Sequence, residues 1–162
     1  MTIYIKNKDT LMIDNFIIRC CIGKNGISSR KREGDYCTPR GFFNLNKLYF
    51  RKDRVGNVQC KIKKKIITKD MAWCDDPKNK KYNQEIKTIT KKNKENFYRK
   101  DNKYDYLITI NYNSKNIPNK GSAIFIHLTN NYNPTAGCIA IQKKDFEILL
   151  NLIDKKTKIK IG

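Results

Sequence analysis

The chain has 162 residues and a mass of 19.1 kDa, the size of one ordinary domain, long enough to bury roughly two-thirds of its unfolded surface without metal or disulfide staples. No apolar run approaches the roughly 18 to 20 residues needed to span a bilayer, so no transmembrane segment is expected. Lys and Arg number 35 against 15 Asp and Glu, a formal charge of +20, and such a field favours an anionic partner over a cationic one.

Twenty-eight of the basic residues are Lys and only seven are Arg, in a chain with 19 Asn and 23 Ile. Lys, Asn and Ile all have A/T-rich codons, so genome composition accounts for the charge without a phosphate-binding face. Arg, the residue suited to bidentate phosphate and base contacts, is scarce, and no specific nucleic acid is expected as a partner.

In chain order, residues 2–5 and 11–13 are short β-rich runs joined by Asn7-Lys8-Asp9, which predicts a hairpin. A third apolar run, 16–22, ends at Gly23. Residues 24–41 are polar and hold Gly26, Gly34, Pro39 and Gly41, which predicts a long loop closing on a strand over 42–50. Residues 58–67 alternate in part through Val58, Cys60 and Ile62, as a half-exposed strand does. Residues 73–102 are rich in Lys, Asn and Asp with little periodicity, which predicts irregular structure draped over the sheet. The runs 104–112 and 123–128 are β-branched and aromatic and read as consecutive core strands. A short strand over 138–141 follows. Phe146, Leu149, Leu150 and Ile153 then fall on one face of a helix over 143–153, with Lys155 and Lys156 past its negative end. Residues 157–161 alternate as a closing strand. No repeat or Pro/Ser-rich linker divides the chain, and one mainly β domain, 1–162, with a single C-terminal helix is expected.

Six cysteines, at 20, 21, 37, 60, 74 and 138, show no CxxC spacing that would suggest a zinc site or redox motif. The only histidine, His127, cannot build a His-rich centre, so neither a metal nor a cofactor is expected. The first ten residues, MTIYIKNKDT, lack the apolar core of a secretory signal.

That lone His127 lies in the apolar run Ala123-Ile124-Phe125-Ile126-His127-Leu128 and, under strict alternation, shares a face with Phe125 and Ala123. A satisfied core histidine would explain it. Further on stands Thr135-Ala136-Gly137-Cys138-Ile139-Ala140, where Gly precedes Cys at the start of another strand. A Gly there lets backbone N–H groups approach a ligand, and a Cys at such a turn is where an acyl-transfer nucleophile would find oxyanion donors, although most free cysteines are small buried apolar residues.

The segments Ile124-Phe125-Ile126-His127 and Thr135-Ala136-Gly137-Cys138-Ile139-Ala140-Ile141 resemble the L,D-transpeptidase catalytic domain (YkuD-like) family, in its branch with a TAGC-type cysteine motif. Upstream, Lys31-Arg32-Glu33-Gly34-Asp35 with Thr38-Pro39-Arg40-Gly41-Phe42-Phe43, and Trp73-Cys74-Asp75-Asp76-Pro77 with Tyr82-Asn83, look like further family segments in the family's order. The better-known pattern has a His two residues before the Cys and an Arg two residues after it, where this sequence has Ala136 and Ala140.

The resemblance implies a mainly β, YkuD-type domain with a C-terminal helix and long loops, acting on peptidoglycan stem peptides. In that reading Cys138 is the nucleophile, His127 the base, Leu128 lends its carbonyl to orient the imidazole, and backbone N–H groups around Gly137 hold the oxyanion. Thr135, Trp73, Asp75, Tyr82 and Asn83 would bind substrate. A thioester on Cys138 would be resolved by an amine, giving a 3→3 crosslink, or by water, as in an L,D-carboxypeptidase. Cys138 would be the most readily alkylated thiol. A periplasmic or envelope location follows from the family, a cytoplasmic one is left open by the N-terminus, and a monomer is expected.

Two other classes compete. A basic module for nucleic acid or anionic wall polymer would use Lys61, Lys63, Lys64, Lys65, Lys91, Lys92 and Lys94 with Tyr98 and Tyr104. An inactive wall-binding relative would keep the fold alone, against which the retained His127 and Cys138 argue.

Overall fold

Apolar residues at alternate positions make the terminal strands, and the structure, a computed structural model describing residues 1–88 and 94–162, buries that half of each. The strands β1 (Thr2–Ile5), β2 (Thr10–Ile13) and β3 (Phe16–Cys21) form an antiparallel meander, with Ile3 opposite Ile13 and Ile5 opposite Leu11. At the expected hairpin, Asn7 Oδ1 accepts the Thr10 N–H at 2.9 Å. A short parallel pair, β4 (Ile27–Ser28) and β5 (Thr38–Pro39), braces the long loop before β6 (Gly41–Phe50) and one helical turn, α1 (Lys52–Val55). Next come β7 (Lys63–Ile66), β8 (Met71–Cys74), β9 (Glu85–Lys87), β10 (Lys94–Asn96), β11 (Tyr106–Ile110), β12 (Phe125–Leu128), β13 (Ile139–Ile141), α2 (Lys143–Leu152) and β14 (Lys158–Ile161).

The main sheet runs β11-β12-β13-β3-β2-β1-β14-β6, and β6 also pairs with β11, so these strands close on themselves as a barrel and leave no free edge among them. Inside lie Ile3, Leu11, Ile108, Ile126, Ile139 and their neighbours, packed with Phe146, Leu149 and Leu150 from the apolar face of α2. The strands β11, β12 and β13 are buried along their whole length, which is why they read as continuous apolar runs. Their alternate residues serve two cores. Ile108 and Ile126 face the barrel, whereas Leu107 and Phe125 join Tyr49, Phe97 and Tyr104 in a second, aromatic cluster. The three-stranded sheet β10-β8-β9 contributes Met71 and Trp73 to that cluster.

Three expectations change. Of residues 58–67 only Lys63–Ile66 form a strand. Val58 and Ile62 are buried from a loop, held where Lys64 Nζ donates to the Val58 carbonyl at 2.6 Å, so their alternation reflects anchoring and not pleating. Within 73–102, expected to be irregular, lie β9, β10 and the second half of β8, a sheet whose polar outer strands are stabilised by tertiary packing. The helix stops at Leu152, one residue short of the expected end, with Lys155 and Lys156 beyond it.

Phe146 is fully buried and stacks on Tyr106 with ring centroids 5.3 Å apart. Phe146→Ala should therefore cost about 3–5 kcal/mol, read as a lower urea midpoint at unchanged slope.

Candidate active site

The strands β12 and β13 run parallel, with Ile126 beside Ile139 and His127 beside Ala140. One step earlier Cys138 lies beside Phe125, whose N–H donates to Sγ at 3.4 Å. Residues at alternate positions share a face, so His127 and Cys138 point the same way, and both line one cleft of about 430 Å³.

The imidazole is 7% exposed, and its Nδ1 lies 2.9 Å from the Leu128 carbonyl. A carbonyl only accepts, so Nδ1 carries the proton and Nε2 keeps the basic lone pair. Burial lowers the pKa to about 4; the Leu128 contact opposes this, and the Lys103 and Arg99 charges add to it. The edge of the Tyr104 ring packs on the imidazole at 5.3 Å, and the Tyr104 hydroxyl donates to Glu95 at 2.9 Å.

Cys138 is half-buried, and burial pushes its thiol up to about 12; Glu95 raises it further, while the Phe125 N–H and Lys31 act the other way. The thiol donates to the Ala123 carbonyl at 3.1 Å, and no hydrogen bond among the described residues joins Sγ to the imidazole. The thiol and the imidazole therefore both rest neutral. This runs against the expectation of ready alkylation at Cys138.

The turn before Cys138 is held from two sides. Thr135 Oγ1 donates to the Cys138 carbonyl at 2.6 Å and accepts the Gly137 N–H at 3.1 Å. Thr38 Oγ1 donates to the Gly137 carbonyl at 2.9 Å. Gly137 has φ +142°, and a Cβ there would sit 2.8 Å from the Cys37 carbonyl oxygen, so only glycine fits. The structure thus uses Thr135 and the Gly137 N–H within the turn itself.

Of the upstream residues, Asp75 lines the cleft. Burial raises its pKa, and the neighbouring Glu33 and Glu95, also on the lining, raise it further. Tyr82 is 2% exposed and donates to Glu33 through its hydroxyl, while Asn83, 8% exposed, bonds to the frame behind the cleft. Trp73 stacks near Phe97 and meets Phe125 edge-on, beneath the site and off its lining. Sequence reasoning assigned no role to Lys31, Glu33 or Glu95, and gave Tyr104 one only in the basic-module reading. The first two stood inside a quoted family segment, whereas Glu95 sits in a Lys-rich stretch with no periodic signal.

The aromatic residues of the basic-module reading are occupied: Tyr104 is buried, and the Arg51 guanidinium covers the Tyr98 ring at 3.6 Å. Lys65 pairs with Glu85, and Lys91 and Lys92 lie outside the described residues.

A family model described as YkuD, the L,D-transpeptidase catalytic domain, matches residues 1–161. No curated protein matches the chain. Among solved structures, the crystal structure of the helical cell shape determining protein Pgp2 from Campylobacter jejuni aligns at 16% identity and a TM-score of 0.49, over 99% of this chain and 46% of that one.

The depressed His127 pKa fixes a pH dependence of stability. The native imidazole stays neutral down to about pH 4, whereas in the unfolded chain it takes up a proton below 6.5. Acid therefore favours unfolding in that window, by about 3 kcal/mol between pH 7 and pH 4. Urea titrations at the two pH values should show this loss reduced by that amount in His127→Gln.

Proposed function

The chain belongs to the L,D-transpeptidase catalytic domain family, and from that premise we propose that it is a cysteine acyltransferase of peptidoglycan stem peptides, with residues 1–162 as one catalytic domain. The observation that carries the reading is that His127, on β12, and Cys138, immediately before the parallel strand β13, face one cleft, with Nδ1 of the base already committed to Leu128. In this reading Sγ attacks the carbonyl of the diamino-acid residue as Nε2 takes the thiol proton. The imidazolium then protonates the departing D-Ala amine, leaving a thioester on Cys138. A stem-peptide amine resolves it into a 3→3 crosslink, or water does so as a carboxypeptidase. The Gly137 N–H would exchange Thr135 Oγ1 for the developing oxyanion.

The charge pattern supports an amine-bearing substrate. Asp75, Glu33 and Glu95 line the cleft with Lys31, Arg99 and Lys103; Glu95 pairs with Arg99, whereas Asp75 has no ion pair among the described residues, and its pKa is raised first by burial and then by repulsion from Glu33 and Glu95. An ammonium placed among them relieves that repulsion, which favours the diamino acid. Ala136 and Ala140 also line the cleft and offer it no charge, which is consistent with slower acylation by carbapenems than in members carrying polar residues there. A peptidoglycan substrate supports a site of action at the cell envelope.

The test is incubation with purified disaccharide tetrapeptide and mass spectrometry of products and protein. D-Ala release and a stoichiometric adduct on Cys138, lost in Cys138→Ser and slowed in His127→Gln, are expected. A carbapenem should leave an adduct on the same residue. The rate should fall on an acid limb near pH 4, where the base is protonated. Asp75→Ala should raise KM about tenfold or more, since a charge-assisted contact is worth about 1.5–3 kcal/mol, with little change in Tm. Protein that ignores both tetrapeptide and carbapenem would refute the proposal.

A further inference from the structure

Resting on the reading of Cys138 as nucleophile, we infer that Asn83 is a positioning residue that fixes the Ala123 carbonyl as the resting partner of the Cys138 thiol. The Asn83 amide spends its full hydrogen-bonding capacity. Oδ1 accepts the Trp73 indole N–H at 3.0 Å and the Ala123 N–H at 3.2 Å, while Nδ2 donates to the Tyr112 and Asn113 carbonyls at 3.1 Å each. Its own backbone is left-handed, φ 56°, a conformation Asn tolerates.

What the amide holds is a strained residue. Ala123 has φ 54°, which an alanine seldom adopts, and it adopts it two residues before β12, where its carbonyl receives the Cys138 S–H at 3.1 Å. The preceding residue is held in parallel: Ser122 Oγ donates to Glu33 at 2.8 Å, and Glu33 also accepts the Tyr82 hydroxyl. Tyr82 and Asn83 thus clamp Ser122 and Ala123, two consecutive residues by two consecutive residues. A carbonyl that accepts the S–H stabilises the neutral thiol, so the proton stays with sulfur until the S–H turns from Ala123 toward Nε2 of His127. Asn83 acts on the chemistry through this hold, from behind the cleft.

The S–H stretching band of Cys138 reads that contact directly, isolated by infrared difference against Cys138→Ser. It needs no turnover, so its outcome is separate from whether the protein acts on stem peptides. In the wild type the band should lie at the low frequency of a hydrogen-bonded thiol. Asn83→Ala should shift it upward, and adding Ala123→Gly, which lets residue 123 hold a positive φ unaided, should bring it back. An unmoved band in Asn83→Ala, or no return in the double variant, overturns the inference. Should Asn83→Ala not fold, the double variant decides: folded with the wild-type band it supports the inference, and folded with a shifted band, or unfolded as well, it shows that the amide acts on the scaffold and not through residue 123.

Discussion

The parallel pairing of β12 with β13 is the constraint on which the site depends. Because side chains alternate across a strand, a slip of one residue would carry Cys138 to the barrel side and leave His127 alone in the cleft. Parallel neighbours ordinarily need a crossover of about a dozen residues or more, often a helix. Here residues 129–138 make it as a loop, tied down along its path. The Thr135 N–H donates to the Ile22 carbonyl and the Thr135 carbonyl accepts the Lys24 N–H, both at 2.9 Å, which joins the loop to the end of β3. Thr38 completes the joint, accepting the Gly23 N–H and donating to the Gly137 carbonyl, each at 2.9 Å. A Cβ on Gly23 would sit 2.4 Å from the Tyr36 carbonyl oxygen, so the long loop passes over the joint at a distance only glycine permits.

Burial sets the protonation states of the pair in opposite directions for one reason, the cost of charge away from water. It lowers the pKa of the imidazole and raises that of the thiol; Lys103 and Arg99 add to the first and Glu95 to the second, while Asp101 and Lys31 oppose them. Arg99 also pairs with Glu95 at 3.3 Å, and Glu95 accepts from Tyr104, which packs on His127. A standing thiolate–imidazolium pair is thereby avoided.

The strands of the barrel and its helix were largely legible in the sequence because their signal is local. Alternation marks β1, β2 and β14, unbroken apolar runs mark β11 and β12, and the spacing of Phe146, Leu149 and Leu150 marks α2. What was hidden is long-range. Closure of β6 on β11 pairs Leu48 with Ile108, and nothing near either residue announces the other. Glu85–Lys87 and Lys94–Asn96 look like solvated polar chain, and they are strands because β8 between them packs Met71 and Trp73 into the aromatic cluster. The same holds at the site: His127 and Cys138 stood out as residue types, whereas Ala123 carries no chemical signal, and its role comes from a backbone carbonyl.

The cleft is assembled from loop segments around 31–35, 73–83, 121–123 and 129–138, and loops are ordinarily the mobile part of a fold. Precision here comes instead from buried side-chain amides, hydroxyls and carboxylates that replace the missing ladders: Asn83 between three segments, Glu33 between Tyr82 and Ser122, Lys31 with Asp35 at 2.6 Å, and Asn113 Nδ2 on the Gly121 carbonyl at 3.0 Å. The Asn83 and Glu33 bonds close one loop against another, while the Lys31 and Asn113 bonds tighten their own loops, so the segments order one another, and loss of Asn83 or Glu33 leaves groups unsatisfied in several. Barrel and cleft are therefore stabilised by different physics, apolar burial in the one and a satisfied polar network in the other. A substitution in that network can disorder the cleft while the barrel stays folded, and this is why the position of the thiol has to be measured at the sulfur itself and not inferred from melting.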